Sequence, residues 1–347
     1  MNPAERLIRK ADAAQQRHRA SAFAFGVVKK FGDDNGGVLV ANLTHSAFVS
    51  LFPLLLVLVT ILGLVAAGDP SFRQAAINAV AGQFPLIGHE LTNVRQLRRS
   101  SLIGLIAGLL WLVWGSTGLA QAGLFTMEQV WNLPGPARPG YVPRLGRALL
   151  FLGLLGSDVI ATTLLAALSA YGNRPQSLAA FAYAVQATVN SGMYFAGFRI
   201  LTPRGVPSRD LAPGAVAAGI LWTALQVAGT YVVGHYLHSD SVYGVFATVL
   251  GLVTWLYLAA EVTVYSAEIN VVLARRLWPR ALVQPPLTEA DRASMALQAL
   301  QNQRREEQHV EVTFNDREPG AKPPPITPRT PEEVSPPATG ERPERPR

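Results

Sequence analysis

The sequence contains no cysteine and few charged residues for its length. None of its 347 residues is cysteine, and charged residues make up 15%, against about a quarter in an ordinary soluble domain. The absence of cysteine excludes a disulfide scaffold, thiolate metal ligands and a cysteine nucleophile. The shortage of charge, together with 49% hydrophobic residues, argues against a single soluble core.

The charges that are present are distributed unevenly. There are 30 Lys and Arg residues against 23 Asp and Glu, which gives a net charge of +7. Most of them lie in the two tails and in the segments between apolar runs. The apolar runs themselves contain three acidic residues, Asp158, Glu261 and Glu268. A nucleic-acid-binding protein concentrates basic residues on one face, so this distribution predicts no nucleic-acid partner.

Six apolar stretches are long enough to cross a bilayer, whose hydrocarbon core of about 30 Å requires roughly 20 helical residues. They span approximately residues 41–67, 101–127, 146–171, 178–201, 212–236 and 245–274. The sequence therefore predicts an all-α integral membrane protein with six transmembrane helices, and the lipid bilayer as its first partner.

The orientation of these spans follows from the positive-inside rule. With six spans, both tails and the loops after the second and fourth spans lie on one side, and they contain 25 of the 30 Lys and Arg residues. The opposite loops contain the other 5. Both termini are therefore predicted to be cytoplasmic.

The predicted membrane domain, residues 38–274, lies between two cytoplasmic tails. In the N-terminal tail, residues 1–37, Phe23, Val27 and Phe31 share one helical face. That tail is either an amphipathic helix on the anionic leaflet or a solvated basic segment. In the C-terminal tail, residues 275–347, we expect a short helix over 288–308 and then proline-rich disorder.

Polar residues form stripes on three of the predicted spans. At 100° per residue, the stripe on the sixth span occupies an arc of roughly 80°. One interpretation is hydrogen bonding between helices, and the other is a polar cavity for a solute or a lipid headgroup. The candidate cavity residues are Thr254, Tyr257, Glu261, Tyr265 and Glu268 on the sixth span, Gln186, Asn190 and Tyr194 on the fourth, and Gln226 on the fifth.

Three further features are weaker signals. Pro53 predicts a kink in the first span, and Asp158 is an intramembrane carboxylate without an assigned role. His235, His238 and Asp240 have a spacing that a metal could use, but further ligands would have to come from elsewhere in the chain, such as His89 or Glu90. With no P-loop, H-E-x-x-H or G-x-S-x-G motif, we expect no metal, no cofactor and no enzymatic activity.

Several short motifs are similar to those of one bacterial family. They are Ser50, Phe52, Pro53, Leu54 and Leu55; Trp114, Gly118, Leu119 and Trp131; Pro203, Arg204, Asp210, Pro213, Gly214, Ala215 and Trp222; Tyr231, Ser241, Val242, Tyr243 and Gly244; and Trp255, Leu256, Tyr257, Ala267, Glu268 and Asn270. Through them, residues 20–280 resemble the YihY/virulence factor BrkB family of inner-membrane proteins. One departure is Ser266, where the family usually has glycine.

The resemblance implies a bacterial inner-membrane protein with six spans and cytoplasmic termini. Some members carry the label ribonuclease BN, but the H-x-H-x-D-H run of a metallo-β-lactamase-type nuclease is absent here. Others are linked to serum resistance or to export of a lipid A precursor. Our leading hypothesis is a transporter or lipid-export factor with a small-solute or lipid substrate. The alternative is a membrane scaffold that recruits cytoplasmic partners through its tails, and a ribonuclease ranks last.

Overall fold

The computed structural model describes residues 3–65, 117–170, 179–236, 244–284 and 286–314, and these contain helices and no β-strand. Short 3-10 turns lie at Gly135–Ala137 and Ser208–Leu211. The α-helices of the described part are α1 (Pro3–Arg17), α2 (Arg19–Asp33), α3 (Gly36–Val65), α4 (117–130), α5 (Tyr141–Ala170), α6 (Ala179–Leu201), α7 (Ala212–Tyr236), α8 (Gly244–Arg275) and α9 (Glu289–Gln301).

Five of these helices, α3 and α5–α8, coincide with apolar runs of the sequence. Two stretches, Ser208–Tyr231 and Val249–Arg275, meet the length and hydropathy expected of a membrane span, and Gly36–Leu51 is a shorter apolar stretch. These length and hydropathy criteria apply only to residues whose side chains the structure describes. Of the predicted second span, 101–127, residues 101–116 lie outside the described residues.

Helix α8 occupies a central position because it packs against α2, α3 and α7. Helix α7 in turn packs along α6, and α6 packs on α5. Small residues permit these close approaches, as they do between membrane helices generally. A methyl group added to Gly219 of α7 would overlap Ser191 of α6, and one added to Gly229 would overlap Trp255 of α8.

The end of α8 redirects the chain toward α2. Arg276 has a φ of 53°, the left-handed conformation that commonly terminates a helix. The Leu277 N–H donates to the Val272 carbonyl at 3.0 Å, and both side chains are fully buried. Hydrogen bonds and an apolar contact together form a Schellman motif, which directs residues 277–281 toward α2.

The apolar face of α2 is covered by protein. Phe31 stacks on Tyr265 of α8 with ring centroids 4.2 Å apart, and Phe23 meets Trp278 edge-on at 6.0 Å. Val27 between them is buried. The expectation that this face lies on lipid or is solvated is therefore replaced by a helix contact. Burial against Tyr265 of α8 and against Trp278, which follows α8, removes this apolar face from water.

Helix α9 begins at a capping box. The Thr288 hydroxyl accepts from the Asp291 N–H, and the Asp291 carboxylate accepts from the Thr288 N–H, as in the known motif. The helix ends at Gln301, earlier than the predicted 308, and beyond it the Gln303 carbonyl accepts from the Gly135 N–H at 2.8 Å. The predicted disordered tail beyond residue 314 lies outside the described residues.

Candidate functional site

The polar stripes of α6 and α7 meet in direct hydrogen bonds. Gln186 Nε2 donates to Gln226 Oε1 at 2.9 Å, and Asn190 Nδ2 donates to Thr223 Oγ1 at 2.9 Å. Asn190 also approaches Gln226 Oε1 at 3.5 Å. Asn190, Thr223 and Gln226 are buried. At these residues the polar stripes form hydrogen bonds between helices, which is one of the two interpretations of the stripes. The other is a polar cavity.

The polar stripe of α8 divides into two halves with different surroundings. Thr254 and Tyr257 are exposed, and Glu261 is half-buried. One turn further on, Tyr265 stacks on α2, and Glu268 is fully buried. The stripe is thus open in its first half and is closed by α2 in its second half.

Tyr194 of α6 is the predicted residue that joins α6 to α8. Its hydroxyl lies 3.3 Å from Thr263 Oγ1, and its ring meets Trp222 of α7 edge-on at 6.5 Å. Trp222 also lies beside Trp255 of α8, at 6.3 Å between centroids. Three helices therefore share an aromatic contact beside the α8 stripe.

Glu268 forms a buried charged group with Lys30 of α2 and with Asp34, the C-cap of that helix. Lys30 Nζ lies 3.6 Å from Glu268 Oε2 and also forms an ion pair with Asp34. Lys30 and Glu268 are both 0% exposed. Lys30 further donates to the Val130 carbonyl at 3.2 Å, and Asn132 Nδ2 donates to Asp34 Oδ1 at 3.0 Å.

A second charged group lies beside the first, where the segment after α8 meets α2 and α9. Arg280 donates to Asp33 and to Asp291, each at 2.6 Å. Lys29 Nζ donates to Asp291 at 2.9 Å and to the Ala281 carbonyl at 2.6 Å. Arg280 and Asp291 are buried, so these pairs are shielded from solvent.

The partners of Asp291 determine its ionisation. Burial by itself raises the pKa of this carboxyl, because an ion loses hydration there. Hydrogen bonds from Arg280, Lys29, the Ala281 N–H and Thr288 outweigh that effect and hold the pKa of Asp291 well below its ordinary value. Asp291 is therefore an ionised acceptor that fixes α9 to the segment after α8.

We refer to these two groups together as the ion set. It links α2, α8, α9 and the segment between the last two. Sequence reasoning identified Glu268, but it missed the other members, although Lys30 adjoins the apolar face formed by Phe23, Val27 and Phe31. The one local signal was a cationic residue next to an apolar helical face. The ion set consists of Lys29, Lys30, Asp33, Asp34, Glu268, Arg280 and Asp291.

A polar cleft of about 450 Å³ adjoins the ion set. Its walls include Asp33 and Asp34 from the end of α2, Phe125 of α4, and Arg138. The carboxamide side chains of Gln129 from α4 and of Gln298 and Gln301 from α9 also line it. Nearby, the buried Glu128 of α4 lies 3.5 Å from Arg144, a pair that the sequence patterns did not indicate.

The remaining predicted residues lie where the structure describes little. Pro53 is within α3 and Asp158 is within α5, but their side chains are outside the described part, as is that of His235 in α7. His238 and Asp240 lie outside the described residues altogether. Among the side chains that are described, no three His, Cys, Asp or Glu residues are grouped as metal ligands.

Two residues of the family-like motifs meet at the start of α7. The Gly214 N–H donates to Asn270 Oδ1 of α8 at 2.6 Å, which satisfies a backbone donor that a helix N-terminus leaves unpaired. A side chain at Gly214 would overlap the Ser266 carbonyl and approach Asn270 Cγ to 2.6 Å. Ser266, which replaces the usual glycine, is fully buried at this crossing.

Comparison with known proteins gives one family. The model of the family described as "Virulence factor BrkB" matches residues 27–289. An uncharacterized protein of Dickeya dadantii is 28% identical over 69% of this chain and 79% of its own length. A UPF0761 membrane protein of Neisseria meningitidis serogroup B is 25% identical over 70% of this chain and 60% of its own length. A UPF0761 membrane protein of Alcanivorax borkumensis is 24% identical over 72% of this chain and 59% of its own length. No solved structure matches.

Proposed function

The chain belongs to the virulence factor BrkB family, several of whose relatives are named membrane proteins, and from that premise we propose that it is a transporter. Its substrate would be a small solute or a lipid, and its location the bacterial inner membrane. The proposal includes six spans with both termini in the cytoplasm.

Contacts among the tails and one loop support this topology. Asn132, which follows α4, donates to Gln301 of α9 at 3.0 Å, and Arg280 pairs with Asp33 of α2. Residues from the N-terminal segment, the 131–140 loop and the C-terminal segment thus contact one another. Such contacts require that these parts lie on one side of a membrane. The excess of Lys and Arg in the same segments favours the cytoplasmic side.

The observation that carries the transport proposal is the divided stripe of α8. Its exposed half, with Thr254 and Tyr257, continues through Glu261 to the buried Glu268. Carboxylates inside membrane helices are costly and commonly mark substrate or ion pathways. We propose that the first half of the stripe lines a polar path and that α2, held by the ion set, closes this path on the cytoplasmic side.

Single-cysteine variants test this path, and the natural chain has no cysteine to be removed first. Thr254→Cys and Glu261→Cys should react in intact membranes with a hydrophilic, membrane-impermeant thiol reagent. Val249→Cys is the matched control, since Val249 is 44% exposed but lies about 140° around the helix from Thr254. Reaction of all three with a lipid-soluble reagent alone would contradict the polar path.

A transport role also makes a prediction in cells. Glu261→Leu should fail to restore an envelope phenotype that the wild-type gene restores, whereas Val249→Leu should restore it. The two variants must be present in the membrane in equal amounts. An unchanged phenotype with Glu261→Leu would remove the main argument for a path along α8.

The scaffold alternative is tested by the tail beyond the described residues. Because α9 is bound to α2 through the ion set, deletion of 281–347 would damage the fold under either hypothesis. Deletion of 315–347 leaves those contacts in place. A scaffold acting through its proline-rich tail should lose function in this deletion, and a transporter should keep it.

A further inference from the structure

The charges of the ion set do not balance. Lys29, Lys30 and Arg280 contribute three positive charges, while the four carboxyls contribute four negative charges if all are ionised. The surplus negative charge lies in the first charged group, around Glu268. In the second group, Lys29 and Arg280 match Asp33 and Asp291 one for one. Lys30 alone then faces both Asp34 and Glu268. An unpaired charge buried in this way is strongly unfavourable.

The hydrogen bonds locate the surplus at Glu268. Asp34 accepts from Lys30 and from Asn132, so both of its oxygens have donors. Neither oxygen of Glu268 accepts a hydrogen bond from any donor that the structure describes. Lys30 Nζ is 3.6 Å away, which is too long for a direct bond. The Asp34 carboxyl contacts the same Lys30 ammonium as the Glu268 carboxyl, so the two carboxyls face each other across this cation.

Two facing carboxyls need a cation or a proton between them. The position that a metal ion would occupy is held by the Lys30 ammonium, which already contacts both. A proton bound to one of the two carboxyls compensates the surplus negative charge. When Glu268 is protonated, its O–H can donate to the Asp34 carboxylate, and the ion set becomes electrically neutral.

We propose that Glu268 and Asp34 share one bound proton, which makes this end of α8 a buried proton-binding site. The groups that face it are Lys30 from α2, the Val130 carbonyl and the Asn132 amide from the end of α4, with Asp33, Arg280, Lys29 and Asp291 as the neighbouring balanced pairs. The site does not depend on what the protein transports, because its charge balance is the same whether or not a substrate moves.

Infrared spectroscopy of the purified full-length chain at neutral pH tests the shared proton. The carboxylic C=O band is measured for the wild type and for Glu268→Gln, and their difference spectrum is taken in H₂O and in D₂O. We expect loss of one protonated-carboxyl band in Glu268→Gln. Glutamine imitates the protonated acid, so this variant should fold, and its melting temperature provides the check.

Two further variants distinguish a shared proton from simpler explanations. In Asp34→Asn the opposing carboxyl is gone, so Glu268 should ionise against Lys30 and the same band should disappear. In Glu261→Gln, the control on the same helix, the band should remain. A wild-type chain without the band, or a band that survives Glu268→Gln, would overturn the site. A band retained in Asp34→Asn would show that Glu268 holds its proton alone.

Discussion

The interior of the helix bundle and the end that contains the ion set use polar residues in two different ways. Between α6 and α7, neutral side chains such as Asn190 and Thr223 join helices that are neighbours in the chain. At the end that contains the ion set, ionised groups join elements that are far apart in sequence, as Arg280 and Asp33 do. Neutral contacts between membrane helices contribute about 0.6–2 kcal/mol, whereas loss of one partner from a buried ion pair costs about 3–5 kcal/mol. The difference indicates where the fold is most sensitive.

The largest effect is expected from removal of the Arg280 guanidinium. Arg280→Met leaves Asp33 without its cation and Asp291 with Lys29 alone, so we expect a loss of about 3–5 kcal/mol in unfolding free energy. The measurement is thermal or denaturant unfolding of the purified chain. Arg209→Met is the control, because the Arg209 side chain is 86% exposed in its pair with Asp210. Similar losses in both variants would contradict the distinction between the two regions.

The next effect is the pH dependence of the contact between α9 and the rest of the chain. The pKa of Asp291 is held below its ordinary value of about 4, so its stabilising contribution is complete above that pH. The contribution is lost as the pH falls through the lower, folded-state pKa. The melting temperatures of the wild type and Asp291→Asn should therefore converge in acid.

The control for that pH series is Glu289→Gln, an exposed substitution on the same helix. Its melting temperature should follow that of the wild type across the series. A constant gap between the wild type and Asp291→Asn down to about pH 2 would mean that Asp291 does not contribute as an ion.

Gly214→Ala should have an intermediate effect. The added methyl group overlaps the Ser266 carbonyl. It also displaces Asn270, whose Oδ1 accepts a hydrogen bond from the backbone N–H of residue 214. Overpacking of this kind costs about 1–3 kcal/mol. Gly146→Ala provides the comparison, because no atom lies within 4 Å of a side chain added there. Equal stability of the two variants would show that the α7–α8 crossing is looser than described.

The smallest effect is expected in the bundle interior. Gln226→Leu removes the acceptor of Gln186 and weakens the contacts of Asn190, for an expected loss of about 1 kcal/mol. Thr188→Val is the control, since its hydroxyl is exposed and bonds within its own helix. A loss as large as that of Arg280→Met would remove the contrast between the two regions.

The sequence predicted those features that depend on local periodicity. Apolar runs located α6, α7 and α8, and the spacing of Asn190 and Gln226 placed polar faces on adjacent helices. Thr288 marked the start of α9. Each of these results needs only the helical repeat and a capping residue, both of which can be read within about 20 residues.

The ion set could not be predicted in the same way. Lys30 and Glu268 are separated by most of the chain. The N-terminal segment was expected either on the membrane surface or in solvent, and neither alternative predicts a buried partner. Asp33, Arg280 and Asp291 lie in polar segments, where charged residues are ordinarily exposed. Arg280 and Asp291 are buried because the turn at Arg276 carries the chain back toward α2.

The contact between Lys29 and Asp291 also has a consequence for biosynthesis. These residues are 262 positions apart, so the cations of α2 are made early and wait, hydrated, until α9 has left the ribosome. A chain released before residue 291 has Lys29 and Arg280 but lacks the carboxylate between them. Among the described helices α9 is the last to be made, so its contact with Lys29 can form only after the other described helices have been synthesised.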